Sequence, residues 1–211
     1  EGYTSDGVYT VYGLPSGTYY VRTWNDQTNY LDEWWGSAGS VPLSDCGAAE
    51  PIVISGASVS GKDFQLDTGY TISGTIYQAD GVTPIADADI WIGVYQGDPC
   101  GSNTYVAEGY TSDGVYTVKG LPSGTYYVCA RVYQANYLDE WWAGSGSVPL
   151  ADCNAAGSIT ISGASVTGKD FQLDTGYSIS GTIYQADGVT PITDADIYIG
   201  VYQGDPCGDY Y

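Results

Sequence analysis

Five cysteines, two tryptophan pairs and two repeated carboxylate pairs are the residues whose types and spacing could do chemistry here. Histidine is absent. That removes the usual general base of hydrolases and the commonest metal ligand, and it leaves any cysteine nucleophile without its usual partner. Serine is plentiful, but no G-x-S-x-G elbow, P-loop or G-x-G-x-x-G occurs. The expectation is that the chain is not an enzyme.

The cysteines carry more information. Cys46 and Cys153 occupy equivalent places, as do Cys100 and Cys207, whereas Cys129 corresponds to Arg22. Cysteines at fixed places in a repeat suggest one disulfide per repeat and an oxidising compartment. Cys100–Cys153 is the natural pair, with Cys46 and Cys207 left to pair with a neighbouring subunit or repeat. Cys100–Cys129 competes with it but would fail where Arg22 replaces the thiol. Spacing leaves both open.

Asp87 and Asp89, repeated as Asp194 and Asp196, place paired oxygen donors at a strand start. Such donors suit Ca²⁺. The sequence lacks a D-x-D-x-D-G loop, however, and a solvated acidic face explains the aspartates more simply, so no cofactor is required. Trp34-Trp35 and Trp141-Trp142 fall at strand ends, where period two sends one ring of each pair inward and the other outward. The outward ring could meet a sugar or, more simply, form a joint between modules.

These residues lie in a repeat. Glu1–Thr104 aligns with Glu108–Tyr211 without a gap at a shift of 107, with 22 differences. The stretch Gly109–Val128, GYTSDGVYTVKGLPSGTYYV, recurs as Gly2–Val21 with a single change. It reads as strand, turn, strand, turn, strand: Ser112-Asp113-Gly114 and Leu121-Pro122-Ser123-Gly124 punctuate runs rich in Val, Thr and Tyr. Ile90, Ile92 and Val94 alternate with Trp91, Gly93 and Tyr95, and Phe171 and Leu173 with Asp170 and Gln172. Val115, Val118, Tyr126, Val128, Ile159 and Ile161 are further expected core positions. Gly74, inside the strand TISGTIYQ, predicts a bulge or a close backbone approach.

A period of 107 residues suits one sandwich domain per repeat. Residues 70–176 form one complete module. Residues 1–69 read as the C-terminal part of another, and 177–211 as the first strands of a third. The fold class is all-β, built from tandem β-sandwich modules.

SGTIYQADGVTPIADADIWIGVY, TSDGVYTVKGLPSGTYYV, NYLDEWW and ITISGASVTGKDFQLDTG together resemble the carboxypeptidase regulatory-like domain. That family is also described as prealbumin-like or transthyretin-like and is similar to the B-type repeats of bacterial adhesins. The resemblance implies an Ig-like, prealbumin-like sandwich, commonly repeated in secreted bacterial proteins, and no catalysis.

Lys and Arg number 5 against 25 Asp and Glu, a net charge of −20. This argues against nucleic-acid partners and against anionic membranes. No apolar run is long enough to span a bilayer. The functional expectation is an extracellular bacterial structural protein: a surface fibre, stalk or filament whose partners are head-to-tail copies of itself. The orphan first strands of 177–211 would complete the head of the next chain by strand complementation, or join it as the next repeat of one longer polypeptide. The alternatives are a carbohydrate- or surface-binding adhesin module and an accessory domain of a secreted hydrolase.

Overall fold

The computed structural model describes residues 1–25, 28–86, 88–133 and 135–202. The chain is mostly β and divides into two compact units, 1–177 and 178–211.

Within the first unit, residues 70–173 build a sandwich-like pair of sheets. The smaller sheet holds β5 (Tyr70–Gln78), β8 (Val115–Leu121) and β13 (Phe171–Leu173), in the order β13-β5-β8. The larger holds β6 (Asp89–Gly97), β7 (Asn103–Thr111), β9 (Gly124–Tyr133), β10 (Glu140–Trp142) and β11 (Ser147–Pro149), in the order β11-β10-β9-β6-β7, with β12 (Ile159–Ile161) also paired to β9. β5 runs parallel to β13 and antiparallel to β8, and β6 lies between β7 and β9. The described helices are two six-residue 3-10 turns, Leu43–Ala48 and Leu150–Ala155.

Alternation along each strand places one core between the sheets. Ile72 and Ile76 of β5 meet Ile90, Ile92 and Val94 of β6, Tyr126 and Val128 of β9, and Phe171 and Leu173 of β13, all essentially without solvent contact. A fully buried side chain of this size contributes about 1.5–3 kcal/mol. Val115 departs from expectation: it is 60% exposed, and Tyr116 takes the interior place. Val118 is buried as expected but lies three residues from Val115, and alternation cannot turn both inward; Tyr116, two residues before Val118, shares its face. Tyr116 reaches across to donate its hydroxyl to the Lys169 carbonyl at 2.6 Å and packs edge-on against Phe171. Gly74 lies opposite Tyr116, and a Cβ there would sit 2.6 Å from the Lys169 carbonyl carbon, so the close approach is real and requires glycine.

Residues 1–69 carry shorter strands: β1 (Gly17–Tyr19), β2 (Glu33–Trp34), β3 (Val41–Pro42) and β4 (Ile52–Ile54). β1 pairs with β4 in the register that β9 keeps with β12: Tyr19 faces Ile52 as Tyr126 faces Ile159. Tyr9 donates to the Lys62 carbonyl at 2.5 Å, as Tyr116 does to that of Lys169.

In the second unit, Tyr184 bridges Pro191, and Gln185 donates its N–H to the Thr190 carbonyl at 2.8 Å. This reproduces the Tyr77–Pro84 bridge and the Gln78–Thr83 bond of the middle segment. Asp187 accepts from the Val189 and Thr190 backbone and from the Thr190 hydroxyl. Those hydrogen bonds, the hydroxyl's foremost, pull its carboxyl down to about 2.

Candidate functional site: the open sandwich faces and the cysteine positions

Cys100 and Cys153 form a disulfide with Cα atoms 5.1 Å apart, inside the usual span. It ties the turn after β6 to the 3-10 segment after β11. Both cysteines sit where short turns hold them: Cys100 donates its N–H to Asp98, and the Cys153 carbonyl accepts from Ala156.

Cys129 is buried and unbonded. Burial pushes its thiol up to about 11, so it holds little thiolate at neutral pH. Cys46 is exposed and free on the equivalent 3-10 segment, and Cys207 lies outside the described residues. In the unassembled chain a thiol reagent at neutral pH is therefore expected to label Cys46 rapidly and to reach Cys129 only after denaturation. Peptide mapping reads this directly, and rapid native labelling of Cys129 would contradict its burial.

Little of the tryptophan pairs reaches solvent in the single chain. Trp141 and Trp142 are both buried, and Trp35 is too, while Trp34 is half-buried. The faces alternate as expected: Trp142 joins the core and Trp141 points to the other side. There Tyr95 of the same sheet covers Trp141 edge-on at 5.6 Å, a cross-strand aromatic contact the sequence reading did not include. Lys169 lies over Trp142 at 4.7 Å and Lys62 over Trp35 at 4.1 Å. The described contacts of these four rings fall within their own repeat.

A contact between residues 1–69 and the middle segment runs through the residues just before Trp34-Trp35. Gly69 donates to the Asn29 carbonyl at 2.7 Å, and Leu31 donates to that of Asp67 at 2.8 Å. The Asn29 side-chain oxygen accepts the Gly120 N–H at 3.3 Å. No motif announces this contact, which links positions 91 apart.

Asp87 lies outside the described residues. Asp89, Asp194 and Asp196 are exposed. Among the described residues no group of three or more His, Cys, Asp or Glu could hold a metal ion, so the calcium pairing gains no third ligand there. Among them too, no helix is long and apolar enough to cross a membrane.

Glu140, the second residue of the acidic pair Asp139-Glu140 that repeats Asp32-Glu33, is a buried carboxylate. It accepts from the Ser147 hydroxyl at 2.5 Å and from the Asp174 N–H at 3.3 Å, pinning β10 to the β11 turn and to the module's last strand. Glu33 repeats the contact with Asp67. Burial raises both carboxyls above the usual glutamate range despite these bonds. A folded-state pKa above the unfolded one gives stability that is full below the unfolded value of 4.5 and is lost as pH rises through the folded value. Asp80 and Asp113 act oppositely: hydrogen bonds hold them below 3.8, so their contribution is lost as pH falls through their lowered values. Melting temperature is thus expected to rise from pH 7 towards pH 4.5 and to fall again below about 3.8. Glu140→Gln should melt higher than the parent at pH 7, with the difference closing below 4.5. A constant difference at all pH values would show that the carboxyl does not titrate in the fold.

The largest unexplained feature is what the outer segments expose. Ile72, Ile92 and Val94 have no solvent contact, yet their counterparts one repeat later, Ile179, Ile199 and Val201, are 87%, 63% and 71% exposed. Ile183, Ile192 and Ile197 are exposed as well. Residues 1–69 present the matching deficit. Leu14 is 41% exposed where Leu121 is fully buried, and Tyr9, Val11, Val21, Phe64 and Leu66 are only half-buried. These are the positions that β5 and β6 cover in the middle segment.

No family model matches the chain, and no curated protein does.

Proposed function

We propose that this is an extracellular structural protein whose repeated, prealbumin-like sandwich modules assemble head to tail into a fibre on a bacterial surface. Residues 177–202 of one copy, which hold only an isolated Tyr184–Pro191 bridge and no named strand, would become strands on pairing with residues 1–69 of the next. The observation that carries the proposal is the reciprocal exposure just described: the tail displays apolar side chains that a module buries, and the head displays the surface that buries them. Shifting the pairs of the middle segment by one repeat gives the register. Ile179 would face Val11 and Thr182 would face Val8, while Ile183 would lie beside Phe64 and Val201 beside Val21. Part of each half is already shaped, since the 185–190 turn and the β1–β4 pairing exist before they meet. Preorganisation of this kind lowers the cost of association. The contact is heterologous, so it propagates instead of closing, and the net charge of −20 discourages lateral clumping.

In such a joint Cys207 of the donor would meet Cys46 of the acceptor, repeating Cys100–Cys153. The disulfide already present suits an oxidising compartment. Denaturing electrophoresis tests the proposal. Without reductant the material is expected to give a ladder of multiples of the single chain. Reductant, or Cys46→Ser, should collapse that ladder. A ladder that survives reduction would place the neighbouring modules in one longer polypeptide. A monomer under native conditions, with no assembly at any concentration, would overturn the reading.

A further inference from the structure

Both halves of the joint between residues 1–69 and the sheet that follows occur a second time in the chain. In the first occurrence the Asn29 side chain accepts the Gly120 N–H at 3.3 Å. Gly120 has φ +69°, and a Cβ on it would lie 3.0 Å from the Tyr30 carbonyl oxygen. Gly69 is held between the Leu31 side chain and the Gly120 backbone: a Cβ there would come within 2.8 Å of the Gly120 carbonyl carbon.

One repeat later, the donor half is present again. Gly176 donates to the Asn136 carbonyl at 2.8 Å, Leu138 donates to that of Asp174 at 2.9 Å, and Tyr137 bridges Thr175 as Tyr30 bridges Thr68. Leu138 sits against Gly176, where a Cβ would meet its Cδ2 at 3.1 Å, but no glycine backbone closes the other side. Asn136 is exposed. The acceptor half is present at Gly13. Its φ is +75°, close to that of Gly120, and nothing lies within 4 Å of the position its Cβ would take.

We infer that Asn136 and Leu138 of one chain clasp Gly13 of a second copy, with the Asn136 side-chain oxygen accepting the Gly13 N–H, and that this clasp fixes the angle between successive chains. The inference rests on the strand-donation reading and extends it. Donated strands bury apolar side chains but leave the following module free to swing about Gly176. A hydrogen bond on the far side of that glycine removes this freedom, as the Asn29–Gly120 bond does within the chain. Glycine is required at position 13 because the left-handed conformation and the approach of the Tyr137 carbonyl both exclude a side chain.

The test compares assembled fibres of the parent, Asn136→Leu and Asn136→Asp. The backbone carbonyl of Asn136 keeps its bond to Gly176 in all three, and the aspartate retains an acceptor. Amide exchange at Gly13 is expected to be at least about tenfold slower in fibres of the parent and of Asn136→Asp than in those of Asn136→Leu. Micrographs should show Asn136→Leu fibres bending at the joints between chains. Asn29→Leu provides the internal control, with faster exchange at Gly120 and no requirement for assembly. Equal protection of Gly13 in all three fibres would overturn the clasp, and so would Asn136→Asp behaving like Asn136→Leu. If the parent forms no fibre, the underlying strand-donation reading fails and the clasp falls with it. Straight Asn136→Leu fibres with normal axial spacing would leave strand donation standing and remove the clasp alone.

Discussion

Gly181→Val is expected to leave the isolated chain folded and to weaken its assembly. The reason lies in its counterpart. At Gly74 the neighbouring backbone of Lys169 comes so close that a Cβ would sit 2.6 Å from its carbonyl carbon and 3.0 Å from its nitrogen. That approach is fixed from three directions. Lys169 donates its N–H to the Ser73 carbonyl at 3.0 Å, Asp170 accepts the Thr75 N–H at 2.8 Å, and the Tyr116 hydroxyl donates to the Lys169 carbonyl. The backbone cannot withdraw without breaking these bonds. At Gly181 a Cβ meets nothing within 4 Å, so a valine there costs the free chain little. In the assembled state the backbone of Lys62 of the neighbouring copy would take the place of Lys169. Overpacking of this kind costs about 1–3 kcal/mol, which corresponds to a roughly 5- to 150-fold rise in the concentration needed for assembly. Sedimentation of parent and variant over a concentration series, both carrying Cys46→Ser so that the joint stays reversible, measures the shift. Gly74→Val should behave differently: it lowers the melting temperature of the free chain because its clash is internal. Unchanged assembly of Gly181→Val would show that position 181 is never approached as position 74 is.

Cys153→Ser is expected to cost the middle module about 4 kcal/mol. Cys100 and Cys153 close a loop of 53 residues, and restricting that loop in the unfolded chain is worth about 4 kcal/mol on the chain-entropy estimate. The loss should be the same in Cys100→Ser and in the double variant, because either single change opens the loop. Denaturant unfolding of the three variants beside the parent measures it. A loss under about 1 kcal/mol, or additive losses in the double variant, would place the stabilisation elsewhere. Cys129→Ser offers the contrast. Its buried thiol closes no loop, and only the adaptation of a hydroxyl to its site should register.

Much of the fold is legible because burial imposes a period of two. Ile90, Ile92 and Val94 sit inward as their alternation requires, and so do Phe171 and Leu173. Cys100–Cys153 is also legible, since Arg22 breaks the competing pairing in the other copy. Val115 misleads because valine satisfies the strand pattern on either face. The inward partner, Tyr116, is the larger residue and owes its place to a carbonyl 53 positions away that takes its hydroxyl. The tryptophan pairs are legible in part: alternation gives the side to which Trp141 points, but what covers it there depends on Tyr95 from another strand. The Asn29–Gly120 joint carries no local signature. An asparagine before Tyr-Leu and a glycine before Leu-Pro are ordinary turn residues until folding sets them side by side.

The central claim is that residues 179–185 become an interior strand, and amide hydrogen exchange on the assembled protein tests it most directly. In the middle segment the amides of 72–78 belong to a strand paired on both sides, by β8 and β13. If the same environment is recreated between copies, the amides of 179–185 should be protected to within about tenfold of those of 72–78. In the Cys46→Ser chain, whose joint carries no disulfide, they should lose that protection on dilution to the monomer. Protection of 72–78 with free exchange across 179–185 in the assembled state would contradict the account.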